Sequence, residues 1–202
     1  VQIRIGISVK GKKTSGPPSN PVNTVPPVIS GGQVVGSTLT LTSVGSYTGA
    51  VPITYTYQWY RGINLIVGQT STTYITQEAD AGLQVACQVQ ASNAYGSNFV
   101  SSNYLLMAAL SAPENLSLPA IDALTTYYVD YTLSFTGNEW SGNPVPTLTY
   151  QWLRNGGAIG GETFDIYIAT YDDVGQNISV KCTATNSQGT DFVISNEVLI
   201  EP

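Results

Sequence analysis

The chain repeats itself at a single offset. Tyr57-Gln58-Trp59 returns 93 residues later as Tyr150-Gln151-Trp152. The same shift carries Tyr47-Thr48-Gly49 onto Trp140-Ser141-Gly142, Tyr74-Ile75 onto Tyr167-Ile168 and Asp80-Ala81-Gly82 onto Asp173-Val174-Gly175. It also carries Asn93 and Gly96 onto Asn186 and Gly189, and Ser102-Asn103 onto Ser195-Asn196. One offset held over such a distance marks a duplicated structural unit. The chain is therefore expected to hold two copies of one domain, at 28–108 and 109–202, behind an N-terminal segment at 1–27.

Each copy reads as short strands separated by turn residues. In the first, Leu39 and Leu41 alternate with threonines between Ser37 and Ser43. Tyr55, Tyr57 and Trp59 alternate with Thr54, Thr56 and Gln58, and Arg61-Gly62 turns the chain. Thr72 to Thr76 follows, then a strand with Leu83, Val85, Cys87 and Val89 on one face, and Ser97 to Leu106 closes the sheet. The second copy repeats this with Leu133 and Phe135, then Leu148, Tyr150 and Trp152, the turn Arg154-Asn155-Gly156-Gly157, and Ile178, Val180 and Cys182. Period-two alternation with one apolar face is what a sandwich strand needs, because only one face meets the core. Ala108 to Pro113 is expected to link the copies. No segment carries a helical period, so the fold class is all-β.

Seven short strands with a tryptophan in the third resemble the immunoglobulin-like sandwich. The Tyr-Gln-Trp strand after a Gly/Pro-rich loop, Asp-x-Gly before the sixth strand and Ala-x-Asn-x-x-Gly after it resemble, more closely, the immunoglobulin-like repeats of tailed-phage virion proteins and bacterial surface proteins. The resemblance implies two tandem immunoglobulin-like β-sandwich domains preceded by an extended N-terminal strand arm. It implies a structural core around Trp59, Trp152, Tyr57, Tyr150, Cys87 and Cys182. It departs from antibody-type domains in two ways. Each copy has a single cysteine, on the sixth strand, with Leu39 and Leu41 or Leu133 and Phe135 at the facing positions. Val85 and Val180 stand where those domains carry a tyrosine. Cys87 aligns with Val180 and Cys182 with Val89, so both are expected as buried free thiols acting as small hydrophobes; a reactive or crosslinking role is the other reading.

Residues 1–27 stand apart in pattern and charge. Val1, Ile3, Ile5, Ile7 and Val9 alternate with Gln2, Arg4, Gly6 and Ser8, which predicts a strand. Lys10, Lys12 and Lys13 follow, then a Pro/Ser/Asn-rich stretch from Thr14 to Pro27 that reads as a linker. This segment contains Arg4 and the three lysines and no acid, whereas 109–202 sets Arg154 and Lys181 against eleven acids. A basic arm on an acidic body reads as a docking segment. Its apolar face would add to a sheet edge of another subunit, with the lysines meeting acidic surface. Completing a sheet of the first domain, or ending an upstream domain, are the plainer readings.

Composition narrows the chemistry. There is no histidine, which removes the commonest general base and metal ligand. No Gly-x-Ser-x-Gly or phosphate-binding glycine loop occurs, so no catalytic residue, enzyme activity, cofactor or metal is expected. Charged residues are only 10% of the chain, which leaves the surface to Thr, Ser, Asn, Gln and Gly. An acidic body repels phosphates, so no nucleic-acid partner is expected. No apolar run reaches the ~20 residues of a bilayer span, so no membrane partner is expected either.

Glu162, Asp165, Asp172 and Asp173 cluster without any calcium-loop spacing and are expected as a solvated acidic face. Tyr60, Tyr95, Tyr104, Tyr127, Tyr128 and Tyr171 are expected on outward faces. Tyr47 and Trp140, in a loop, are candidate ligand contacts. The resulting expectation is a structural or adhesive virion accessory protein. Its arm would anchor to a capsid, tail or baseplate subunit of an oligomeric assembly, and its domains would meet host-surface glycans or stabilise the particle. The rival is a bacterial cell-surface or secreted adhesin carrying a carbohydrate-binding stalk.

Overall fold

The computed structural model describes residues 18–122 and 126–202. The chain divides into two compact units. One comprises residues through Gly31 with Thr38–Tyr74 and Gln84–Leu105; the other comprises Gly32–Ser37, Ile75–Leu83 and Leu106–Pro202. The arm residues Val1, Ile3, Arg4, Ile5, Ile7, Val9, Lys10, Lys12 and Lys13 lie outside the described residues.

The first unit is built from β1 (Val22–Val25), β2 (Val28–Gly31), β3 (Thr38–Ser43), β4 (Ser46–Thr48), β5 (Thr54–Arg61), β6 (Asn64–Leu65), β7 (Thr73–Ile75), β8 (Gln84–Asn93), β9 (Gly96–Ser101) and β10 (Leu105–Leu106). One layer joins β2-β3-β7, with β1 paired to β4 beside it. The other runs β10-β8-β5-β6, with β9 also on β8. Eight residue pairs zip β5 to β8, from Thr54 opposite Ser92 to Arg61 opposite Val85. Ile29, Leu39 and Tyr74 from the first layer and Trp59, Val85, Cys87 and Val89 from the second are buried.

The second unit repeats the plan with β11 (Ser111–Ser117), β12 (Ala120–Ile121), β13 (Tyr127–Tyr128), β14 (Thr132–Leu133), β15 (Phe135–Thr136), β16 (Glu139–Asn143), β17 (Thr147–Arg154), β18 (Gly157–Ala158), β19 (Tyr167–Ile168), β20 (Asn177–Asn186), β21 (Gly189–Ile194) and β22 (Val198–Glu201). β17, β18, β20, β21 and β22 form one layer, closed by β13 running parallel to β22. The pairs β11–β16, β12–β15 and β14–β19 supply the other. Asn155 and Gly156, at φ 46° and 76°, turn β17 into β18 as a two-residue hairpin, where Asn-Gly best tolerates two left-handed residues.

The repeated residues are those that tie each sandwich together. Trp59 is wholly buried, its ring centroid is 5.5 Å from that of Tyr74, and its indole N–H donates to the Ser71 carbonyl at 2.9 Å. Trp152 does the same with Tyr167 at 5.5 Å and the Phe164 carbonyl at 3.0 Å. Gln58 Nε2 donates to the carbonyls of Trp59 and Ile66, and Gln151 Nε2 to those of Trp152 and Ile159. The Asn93 amide donates to the carbonyls of Ser19 and Ala50, and that of Asn186 to Ser111 and Pro144.

Several expectations are corrected. Residues 22–25, read as linker, form β1, whose partner strand ends against Gly49. That glycine sits at φ +138°, and a Cβ there would lie 2.7 Å from the Asn20 carbonyl oxygen. Secondly, the closing strand expected from Ser97 to Leu106 is broken. The Ser102 N–H still donates to the Cys87 carbonyl at 2.9 Å, but the return bond is taken by its side chain, whose hydroxyl accepts from the Cys87 N–H at 3.0 Å. Asn103 then turns its amide onto Ile29, accepting from its N–H at 2.8 Å and donating to its carbonyl at 3.1 Å. Ser195 and Asn196 repeat this against Val180 and Ile121. The side chains replace the backbone pairing that the break removes. Thirdly, Leu83 is exposed rather than turned inward, and β11 begins at Ser111, inside the stretch read as a linker.

Because Trp59 fills the centre of its sandwich, Trp59→Ala is expected to cost about 3–5 kcal/mol in denaturant melts. A loss below about 1 kcal/mol would mean that the indole is not the packing centre.

Candidate functional site

The second unit contains a buried ionic network that sequence reading had placed on the surface. Asp173, expected within a solvated acidic face, is fully buried, whereas Asp165 and Asp172 are exposed. Its Oδ1 accepts from Arg154 Nε at 2.7 Å. Its Oδ2 accepts from the Tyr167 hydroxyl at 2.7 Å, the Thr170 N–H at 2.7 Å and the Thr170 hydroxyl at 2.9 Å. Burial by itself would raise the carboxyl pKa. The Thr170 N–H, the Tyr167 hydroxyl, Arg154 and the Thr170 hydroxyl together outweigh it and hold the pKa below the ordinary 3.8. The first unit carries the corresponding residues: Asp80 is fully buried and accepts from the Gln77 N–H at 2.7 Å, while Arg61 approaches the Tyr74 hydroxyl at 3.5 Å. The sequence signal was present in Asp-x-Gly at the common offset. This is a structural network, closed to solvent on the carboxylate side, and it offers no reacting group to a ligand.

The two cysteines are buried and unpaired. Cys87 lies opposite Trp59 and Cys182 opposite Tyr150 across the central strand pairs. Burial pushes both thiols up to about 11, so at neutral pH they stay protonated and poorly nucleophilic. Tyr57 and Tyr150 are half-buried on the partner strands β5 and β17. Among the described residues, no group of three or more His, Cys, Asp or Glu is placed to hold a metal ion.

The candidate contacts Tyr47 and Trp140 occupy equivalent strands. Tyr47, in β4, packs on Tyr55 at 5.6 Å, and its hydroxyl is sealed from solvent beside the Asn23 side chain, without a hydrogen bond of good geometry among the described residues. Burial raises its pKa. Trp140 lies in β16 rather than in a loop; it is half-buried, and its indole N–H donates to Asn138 Oδ1 at 2.7 Å. Strand pairing places both backbones, and the Tyr55 ring and the Asn138 side chain engage the two rings. Asn115, in a glycosylation triplet, donates its amide to the carbonyls of Ser117 and Glu139. Tyr127, expected outward, is buried, while Tyr95, Tyr104, Tyr128 and Tyr171 are exposed.

In the first unit a groove of about 590 Å³ on the outward sheet face is lined by Thr56, Gln58, Thr70, Gln88, Gln90 and Phe99. In the second, a groove of about 490 Å³ along the segment before and after Tyr167 is lined by Phe164, Ile166, Ile168, Asp130, Glu162 and Asp165. Alternation of Gln88 and Gln90 with buried Cys87 and Val89 was the available signal for the first groove.

Asp173→Ala is expected to cost about 3–5 kcal/mol at neutral pH, because it leaves Arg154 and Tyr167 without their partner. The folded pKa is depressed, so the carboxylate's stabilisation is complete above 3.8 and is lost as pH falls from there through the folded value. The variant should therefore lose that part of the acid dependence in pH-resolved melts. An unchanged acid limb would contradict the assignment.

No protein-family model matches the chain. In sequence, it is 26% identical over 134 residues to the highly immunogenic outer capsid protein of Enterobacteria phage T4, a match covering 64% of this chain. The match spans about a third of that protein's length, 35%. Among solved structures, a chimeric titin Z1Z2 aligns at TM-score 0.47 and 16% identity, covering 92% of this chain and 99% of that one. The three N-terminal domains of the bacteriophage RB49 highly immunogenic outer capsid protein align at TM-score 0.42 and 17% identity, covering 87% and 59%. The layered strand order, the buried tryptophan and the doubled plan give this chain the fold of tandem immunoglobulin-like domains.

Proposed function

We propose that the chain is a non-enzymatic accessory protein of a phage particle, carried on the outer surface of its capsid. The observation that carries this reading is the 134-residue sequence match to an outer capsid protein. The segment at 1–17 would supply the anchor: it holds all four basic residues preceding Arg61, has no acid, and alternates apolar residues over its first nine positions. Such a segment suits addition to a sheet edge on an acidic partner subunit. The two sandwiches would then stand outward and attach weakly to host-surface glycans. The scarcity of charge in the first sandwich, which has only Arg61, Glu78 and Asp80 over 28–108, suits this role, since an uncharged Thr/Gln/Ser surface meets sugar hydroxyls without desolvating ions.

Immunogold labelling with antibody against the chain tests the location, on particles produced by the genome that encodes it. Gold on the outer surface of the capsid is the expected result. Label confined to a bacterial envelope would overturn the reading in favour of a cell-surface adhesin, and label on tails alone would overturn the capsid assignment.

A further inference from the structure

The two units differ on one outward sheet face, and the repeat makes the difference legible. In the first unit, Thr56, Gln90 and Phe99 form one row across β5, β8 and β9, and Gln58, Gln88 and Ser101 form the next. The corresponding rows in the second unit are Thr149, Thr183 and Phe192, then Gln151, Lys181 and Ile194. There Lys181 places its ammonium 4.0 Å from the Phe192 ring centre and caps that ring. In the first unit the uncharged Gln88 takes the lysine's position, and Phe99, about as exposed as Phe192 (58% against 51%), stands at the wall of the groove with no cation over it among the described residues.

We propose that this groove on the first unit is a binding site for a neutral glycan. The inference rests on the surface-attachment part of the proposed function and names where that attachment occurs. No charged side chain lines the groove. Its walls offer amides and hydroxyls, which match the paired donors and acceptors of sugar hydroxyls, and Phe99 offers an apolar ring to a sugar's C–H face. The volume of about 590 Å³ falls in the range of small-ligand sites. The amides are held before any ligand arrives. Thr56 donates to Gln90 Oε1 at 3.2 Å, Gln90 Nε2 donates to Ser97 at 3.2 Å, and the Tyr60 hydroxyl donates to Gln88 Oε1 at 3.4 Å. Preorganisation of this kind lowers the ordering cost of binding. The second unit also has a groove, of about 650 Å³, over the equivalent Thr149, Tyr150 and Thr163, but Asp165 lines it and Lys181 stands over Phe192.

The test is a titration of the isotope-labelled full chain with soluble neutral oligosaccharides of glucose, galactose, mannose and N-acetylglucosamine at millimolar concentration, read by backbone and side-chain N–H signals. At least one sugar should shift the Gln88 and Gln90 amides. Gln88→Lys, which installs the second unit's own residue, and Phe99→Ala should each weaken binding about tenfold while leaving the melting temperature unchanged. Shifts confined to Tyr47, Trp140 or the second unit would overturn this site and leave glycan attachment standing. Absence of any shift across the panel would overturn both, whereas capsid location is read separately by particle labelling.

Discussion

Each sandwich is organised by one indole. Trp59 and Trp152 fill the space between two layers, stack on a tyrosine of the opposing layer and hand their N–H to a loop carbonyl. A tryptophan buried this way must have its N–H satisfied, or burial costs more than it returns. The loops supplying Ser71 and Phe164 are therefore fixed by the same contact that packs the core. Gln58 and Gln151, next in sequence, clamp the same loops from the outward face. In the second unit, Tyr167 carries the arrangement one step further by donating to buried Asp173, which holds Arg154 at the end of the central strand. With no disulfide between layers, these contacts and the apolar packing join the two sheets.

Much of this was legible in the sequence because the repeat doubled every signal. Strand positions around Trp59 and Trp152 followed from period-two alternation, and Cys87 and Cys182 exchanged with valine as inward-facing small hydrophobes. Other features were hidden for physical reasons. The β1 strand at Val22–Val25 lies between prolines and its burial pattern is mostly exposed, so alternation had nothing to act on. The Ser102-Asn103 break is invisible to hydrophobic periodicity because side-chain hydrogen bonds stand in for ladder bonds there. Asp173 was misread because charge in sequence says nothing about partners; only the fold brings Arg154 and Tyr167 to it. Trp140 was placed in a loop on its glycine-rich neighbours, while the pairing of β11 with β16 draws it into a sheet.

The same framework explains where function can reside. Interiors of the two units are nearly interchangeable, from the tryptophan to the Ser-Asn break. The units diverge on their outward faces, where Gln88 and Lys181 occupy one position and Ser101 and Ile194 another. Divergence on a surface, over a scaffold whose core stays apolar although Cys87 and Val180, or Val85 and Ile178, exchange places, lets a duplicated domain take on separate contacts. The charge is strongly uneven, basic before residue 18 and acidic after 109, and the proposed division between an anchoring segment and displayed domains rests on that asymmetry.

The central claim is that residues 1–17 anchor the chain while both sandwiches fold without them. Cosedimentation with capsids depleted of the protein, comparing the full chain with one beginning at Pro18, tests it most directly. The cut must fall there and not at Val28, which would remove β1 from its pairing with β4. The account predicts equal melting temperatures and saturable capsid binding by the full chain alone. Equal binding by the two would place the anchor in the sandwiches and contradict it.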